Sequence, residues 1–373
     1  MRRGTRKAVV NLVLFFTVAV VLLYINSPST GQRYDNFAWT KIRYVPRTDA
    51  KIAARGRCPG LEVTNKPVLV VARTSSEDKR WLDGLKTKYH LCVYTADNHD
   101  PGATTLQTPA NRGHEAMAYL TFLIDNYEHL PPAGTVFVHG SQFQWHNDHP
   151  EYDNAKLLAD LNINAALKGH GYHNLKCDWA TSTCSPSDAL PQGSYETRSR
   201  AVLEAWDRRV TSDAALPAAF AAIFGGSRQH SLDARVHLGR YDAVRSQCCA
   251  QFVVSRESVW QHTRDEYIAI RQWLLDGSDP KKPHPPGVAS SDDLVAGRII
   301  SYLWHILFIR HDPNDEALSL TALNKAACPS AEDCYCKLYG RCGLTCPTAG
   351  HCIGQYRAPP NLKLSQTRDT KSP

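Results

Sequence analysis

The chain has 373 residues, 43% of them hydrophobic and 21% charged, and a formal net charge of +7 at pH 7. These proportions belong to a folded chain and exclude a fibrous, collagen-like or wholly disordered one. Four of the cations (Arg2, Arg3, Arg6 and Lys7) precede the first apolar segment and no basic run follows, so a nucleic-acid partner is not expected.

Ala8 to Ile25 (AVVNLVLFFTVAVVLLYI) has only Asn11 and Thr17 as clearly polar members. As a helix rising 1.5 Å per residue it reaches about 27 Å, the hydrocarbon thickness of an endoplasmic reticulum or Golgi bilayer. With the cations in front of it, the positive-inside rule predicts a single-pass type II anchor (8–25), a cytosolic N-terminus (1–7) and a lumenal remainder. A cleaved signal peptide is the other reading; its apolar core would be shorter, and Ser27, Ser29 and Gly31 make a poor cleavage site. Residues 26–66, rich in Ser, Pro, Gly, Arg and Thr, read as a stem.

A head is expected over 67–326. Pro67 to Arg73 (PVLVVAR) is an unbroken apolar run bounded by a turn, as in a buried parallel strand. Glu77 to Tyr89 follows as a predicted helix, His90 to Ala96 (HLCVYTA) as a second strand, Gly113 to Tyr127 as an amphipathic helix and Thr135 to Gly140 (TVFVHG) as a third strand. This alternation predicts an α/β fold, a mainly parallel sheet flanked by helices. Further helices are expected at Lys156–Leu167, Ser199–Val210, Leu216–Phe224, Glu257–Leu275 and Asp292–Phe308. Gln251 to Ser255 is expected as a strand, and Lys281 to Gly287 as a Pro-rich loop.

Six of the twelve cysteines lie between Cys328 and Cys352, spaced C-x5-C-x-C-x5-C-x3-C-x5-C. That spacing lacks the C-x2-C pairs of zinc ribbons, so a disulfide-bonded module is expected over 327–354, in keeping with an oxidising lumen. Adjacent Cys248 and Cys249 are expected to pair elsewhere or stay buried rather than bond each other. A polar, disordered tail is expected over 355–373.

No G-x-G-x-x-G follows the first strand, and neither a P-loop nor a G-x-S-x-G elbow occurs, which removes nicotinamide, P-loop nucleotide and ordinary α/β-hydrolase chemistry. His114-Glu115 opens like a zinc-protease helix, but Ala118 stands where the second His is required.

Polar residues instead gather at the predicted strand ends, where open α/β sheets bind ligands. Arg73, Glu77 and Asp78 follow the first strand, Asp97 the second, and His139 with Trp145, His146, Asn147, Asp148 and His149 the third. An arginine there pairs with a diphosphate, and a carboxylate takes hydrogen bonds from a base or ribose. Imidazole and carboxylate together suit Mn²⁺ or Mg²⁺ and acid/base work. Each has a structural reading beside the functional one: Glu77-Asp78 suits a helix dipole, Asp97 a turn, and the His/Asp run a solvated loop. Tyr119 and the Trp304-His305 pair read as core.

Ala72-Arg73 with Glu77-Asp78 and Trp81-Leu82, Asn111-Arg112-Gly113-His114-Glu115-Ala116, Phe137-Val138-His139-Gly140, Trp145-His146-Asn147-Asp148, Gly171-Tyr172, Cys177-Asp178-Trp179, Cys248 to Glu257, Leu303-Trp304-His305 and Cys334-Tyr335-Cys336 resemble a largely fungal family, the domain of unknown function numbered 3431. The resemblance runs from Pro67 to about Cys342. That family is similar in turn to nucleotide-sugar glycosyltransferases of the GT-A kind, with a Rossmann-like head. Where those enzymes carry Asp-x-Asp, this chain has His139-Gly140-Ser141.

The resemblance implies transfer of a sugar from a nucleotide donor to a glycan, protein or lipid acceptor in the Golgi or endoplasmic reticulum. Arg73, Glu77, Asp78, Asp97, Trp145 and Arg256 would then bind substrate, and Asp148, His139 and His149 would hold Mn²⁺ or Mg²⁺. Glu115, Glu257 and His146 would be the catalytic candidates. A non-catalytic glycan-binding or scaffold module and a metal-assisted hydrolase or lyase are the alternatives.

Overall fold

The computed structural model of the protein describes residues 3–26, 35–46, 56–97, 105–180, 182–226, 233–278, 287–311 and 317–353. The expected tail, most of the Pro-rich loop and part of the expected stem lie outside these residues. Two units are present, Met1–Tyr34 and Asp35–Pro373.

The first unit is built on one helix, α1 (Arg3–Asn26). Its Gly4–Leu22 stretch has a mean hydropathy of 1.8. It meets the length and composition of a membrane anchor and of a signal sequence alike.

Among the described residues the second unit carries a two-stranded ribbon and a six-stranded sheet. In chain order its strands are β1 (Asn36–Phe37), β2 (Val68–Arg73), β3 (His90–Thr95), β4 (Leu106–Gln107), β5 (Thr135–His139), β6 (Tyr172–Asn174), β7 (Phe252–Val254) and β8 (Leu318–Ser319). The helices are α2 (Glu115–Asp125), α3 (Asn154–Asp160), α4 (Ile163–Leu167), α5 (Tyr195–Leu203), α6 (Arg208–Gly225), α7 (Arg256–Val259), α8 (Arg264–Asp276), α9 (Asp293–Ser301), α10 (Trp304–Phe308), α11 (Leu320–Ala327) and α12 (Ala331–Tyr339). The large sheet has the order β4-β3-β2-β5-β7-β6. β2, β3, β4 and β5 pair in parallel, but β7 runs antiparallel to both β5 and β6. The sheet is therefore mixed, not mainly parallel. A three-residue apolar strand has the same side-chain pattern in either direction, so its direction is set by its neighbours.

Alternation along the strands divides the core in two. Val68 and Val70 of β2, Phe137 of β5, and Phe252 and Val254 of β7 face α2, α6, α8, α9 and α10. Leu69, Val71, Val136, Val138 and Val253 face α3, α4 and α12. On the first side the rings of Tyr119, Phe137, Phe252, Trp304 and Phe308 pack with centroids 4.9 to 5.9 Å apart, the range of favourable aromatic pairing. Tyr119, Trp304 and His305 are core residues, as expected, yet the Tyr119 hydroxyl and both His305 nitrogens have no hydrogen-bond partner among the described residues.

Several expectations need correction. Residues expected in the stem belong to this unit: Phe37 and Trp39 are buried in its core, and β1 pairs with β8. The segment after Glu77 is a short 3-10 turn at Arg80–Leu85. Lys156–Leu167, Ser199–Val210, Glu257–Leu275 and Asp292–Phe308 are each split between two helices. Three of the breaks carry caps: Asn162 starts α4, Asp207 starts α6, and a Thr263–Glu266 capping box starts α8.

All twelve cysteines are paired. Cys336–Cys342 and Cys346–Cys352 are local, whereas Cys177–Cys334 and Cys184–Cys328 tie the C-terminal cysteines to the chain that follows β6. Cys248 and Cys249 do bond each other. Closing that bond goes with a left-handed backbone at Cys249 (φ 83°) and Ala250 (φ 44°).

Candidate functional site

The chain moves outward from β2 to β3 and β4, then returns to place β5 on the other side of β2. The strand order reverses between β2 and β5, and the crevice beyond their C-terminal ends is where open α/β sheets take ligands. Arg73 ends β2 and His139 ends β5.

The β2 side is a tightly bonded turn. The Arg73 guanidinium donates to the carbonyls of Ser75 (3.0 Å) and Glu77 and approaches the Thr95 hydroxyl at 3.5 Å, while its buried Nε has no partner among the described residues. Glu77 accepts from the Thr74 backbone N–H at 2.7 Å and from the Ser141 hydroxyl, joining this turn to the end of β5. Asp97, just past β3, accepts from the Ser75 N–H and hydroxyl, each at 2.7 Å. Burial alone would raise the Asp97 pKa, but the Ser75 hydrogen bonds and the nearby Arg73 charge outweigh it and hold the carboxyl below its ordinary value. Asp78 turns to Arg80 on the exposed flank, and chiefly that hydrogen bond lowers its pKa to about 2.

Gly140 permits this closeness. A Cβ there would lie 2.5 Å from Arg73 Cβ and 2.9 Å from Arg73 Cα. Trp81 covers the junction, its indole N–H donating to the Gly140 carbonyl at 3.0 Å.

On the β5 side, His139 Nδ1 lies 3.9 Å from Glu115 Oε2 at the start of α2. Its Nε2 lies against the Cys249 carbonyl, which only accepts, so Nε2 is the nitrogen that donates there and Nδ1 is the one turned toward Glu115. The His146 ring packs 4.6 Å from the His139 ring, and the exposed indole of Trp145 meets His146 edge-on. Burial first, then the neighbouring His139 and Lys176, lower the His146 pKa well below its ordinary value, so this imidazole is neutral; its Nε2 has no partner among the described residues.

Residues without an obvious signal hold this cluster. Buried Gln251 accepts from the Asn154 amide at 3.0 Å and donates to Asn147 at 3.0 Å, under the end of β5. Asp293 accepts from the Gly113 N–H at 2.6 Å and pairs with Arg112 at 2.9 Å, fixing the turn that launches α2 and hence Glu115. Two residues of that turn, Gly113 (φ 69°) and His114 (φ 53°), are left-handed.

The remaining expected site residues lie elsewhere. Because β7 is antiparallel, Thr135 at the start of β5 pairs with Val254, and Arg256 and Glu257 follow Val254 at the opposite end of the sheet from His139. The same reversal brings Cys248 to Gln251, which precede β7, to the His139 end. Asp148 is 1% exposed; it accepts from the Cys177 and Asp178 N–H groups and, at 2.8 Å, from the Tyr335 hydroxyl. His149 Nδ1 accepts from the Glu151 N–H at 3.1 Å, and burial lowers its pKa.

Asp148, His139 and His149 therefore do not converge as ligands for Mn²⁺ or Mg²⁺. Among the described residues the group of three His, Cys, Asp or Glu ligand atoms within 4.8 Å of one another is Cys58, His90 and Cys92. Its two sulfurs are joined as a disulfide, which removes the thiolates a metal needs.

The chain belongs to the family described as protein of unknown function DUF3431, whose model matches residues 69–337. No curated protein and no solved structure matches it.

Proposed function

We propose that this protein transfers a sugar from a nucleoside-diphosphate donor to a hydroxyl of a glycan, protein or lipid acceptor, at the crevice between β2 and β5. The observation that carries this reading is the facing of Glu115 and His139 at the switch point of the sheet, beside Arg73 and Asp97. A carboxylate and an imidazole are the side-chain groups that serve as general bases, as deprotonating a sugar hydroxyl requires. As the acceptor oxygen bonds to the donor's anomeric carbon, the bond from that carbon to the diphosphate breaks, and Arg73 counters the charge that develops there. Asp97 and Ser75 offer polar contacts to the nucleoside, and Trp145 an exposed aromatic face to a sugar ring. The scheme uses no Mn²⁺ or Mg²⁺, since the residues expected to bind one do not converge.

The anchor-length helix with its preceding cations and the six disulfides support a type II protein with its head in the Golgi or endoplasmic reticulum lumen. A thermal-shift screen of the full chain in detergent against nucleoside diphosphates and their sugars tests the proposal. The expected result is stabilisation by one base, lost in Arg73→Ala and Asp97→Ala, with sugar transfer from that donor. Absence of any nucleotide shift would overturn it, and stabilisation by free glycans alone would identify a binding module.

A further inference from the structure

We propose that the Cys248–Cys249 disulfide is a positioning element of the His139 site, and that a dithiol reductant switches the site by opening it. The inference rests on the transferase reading only for what His139 does to substrate; the geometry and the chemistry of opening stand apart from it.

Five of the six disulfides span 6 to 157 residues, and closing such loops restricts the unfolded chain. The sixth joins neighbours, with a sequence separation of 1, and closes no loop worth restricting. Its effect is local. It goes with a left-handed backbone at Cys249 and Ala250, a conformation that residues bearing a Cβ disfavour. In that conformation the Cys249 carbonyl meets His139 Nε2, and Gln251, two residues on, reaches under the end of β5 with its side-chain oxygen 3.4 Å from the His139 backbone nitrogen. The disulfide thus holds Nε2 as the donor to the Cys249 carbonyl and leaves Nδ1 turned toward Glu115.

The bond is also reachable. Cys248 and Cys249 are half-buried, whereas Cys58, Cys92, Cys177, Cys184, Cys328 and Cys334 are buried. Cys336–Cys342 is likewise accessible, as is Cys346–Cys352 through its half-buried Cys346; these four cysteines lie on α12 and after it. Opening proceeds by thiolate attack on one sulfur, which breaks the S–S bond and forms a mixed disulfide. The reductant's second thiol displaces the protein sulfur, leaving Cys248 and Cys249 as thiols and the reductant as a cyclic disulfide. Two electrons and two protons pass to the protein. Without the bond, residues 249 and 250 are free to return to ordinary negative φ, which withdraws the carbonyl from His139.

The test uses the full chain in detergent, labelled with ¹⁵N-histidine, with the His139 ring signals assigned from His139→Gln. Oxidised protein is expected to show the Nε2–H tautomer. Dithiothreitol, at a level where alkylation mapping finds Cys248 and Cys249 open and the buried bonds intact, is expected to mix the tautomers, and reoxidation to restore the first. Cys248→Ser/Cys249→Ser is expected to give the mixed signal with a melting temperature within about 2 °C of the parent. Where a donor has been found, transfer is expected to fall at least about tenfold on opening.

A His139 signal unchanged while both cysteines are alkylated overturns the positioning role. Alkylation of Cys248 and Cys249 only after the buried bonds have opened overturns the switch. If the double variant fails to fold, the titration of the parent protein decides. A tautomer change in a protein that binds no nucleotide leaves this inference standing and removes the transferase.

Discussion

Glu115 and His139, from the start of α2 and the end of β5, hold a carboxylate oxygen and an imidazole nitrogen 3.9 Å apart. A gap of that width lets a hydroxyl oxygen approach one group or the other without displacing a direct hydrogen bond between them. Removing either acceptor is expected to lower the transfer rate by about 10² to 10⁴. Glu115→Gln and His139→Asn should do so while nucleotide binding, read by thermal shift, stays intact. Equal loss of binding and rate would place the pair in the binding surface instead.

Asp148 is expected to behave as a structural residue. Two backbone N–H groups and the Tyr335 hydroxyl lose their acceptor in Asp148→Ala, inside the protein. The cost is about 3 to 5 kcal/mol. Denaturant unfolding measures it, and metal content by elemental analysis is expected not to change. A metal lost on this substitution, without loss of stability, would restore Asp148 as a ligand.

Gly140→Ala places a methyl group against the Arg73 backbone and Cβ, neither of which is the free end of a side chain. Forced separation of the β2 and β5 ends is expected to cost about 1 to 3 kcal/mol and to weaken nucleotide binding. Trp81→Phe, which removes the hydrogen bond to the Gly140 carbonyl together with part of the ring that packs on the core, is expected to cost about 1 to 2 kcal/mol. Comparing the two melting temperatures separates crowding from the lost bond.

Acid is expected to destabilise the fold through buried histidines. Burial lowers the pKa of His305 to about 3 and that of His173 to about 4. Both lie below the unfolded value, so the unfolded chain binds more protons and stability rises with pH. The contribution is complete above about pH 6.5 and is lost as pH falls, at up to about 1.4 kcal/mol per pH unit for each group. His305→Phe removes one of them, and its two unpartnered ring nitrogens, so a flatter dependence of melting temperature between pH 7 and 5 is expected. An unchanged slope would mean that His305 already finds a proton partner.

Local pattern determined much of this protein. The unbroken apolar runs of β2 and β5, the apolar α2, which was expected to be amphipathic but is buried from Ala116 to Ile124, and the long apolar α1 each lie within one stretch of chain, where local pattern reports the element directly. The gathering of Arg73, Asp97 and His139 at strand ends followed from those strands being parallel neighbours, and the order β3-β2-β5 has that form. The bonding of Cys248 to Cys249 could not be read from their being adjacent, since it needs a left-handed backbone that the surrounding fold supports.

The direction of β7 was decided only in three dimensions. Phe252–Val253–Val254 buries alternate residues on opposite faces whichever way it runs, and pairing with β5 and β6 selects the antiparallel choice. That choice exchanged one set of residues for another: Arg256 and Glu257 went to the far end of the sheet, while Cys249 and Gln251 came to His139. The fate of Asp148 was equally nonlocal, because its partners Cys177, Asp178 and Tyr335 are 29 to 187 residues away in the chain. Side-chain period is set over two to four residues, whereas strand direction and the partners of a buried carboxylate depend on contacts made only after distant segments have packed.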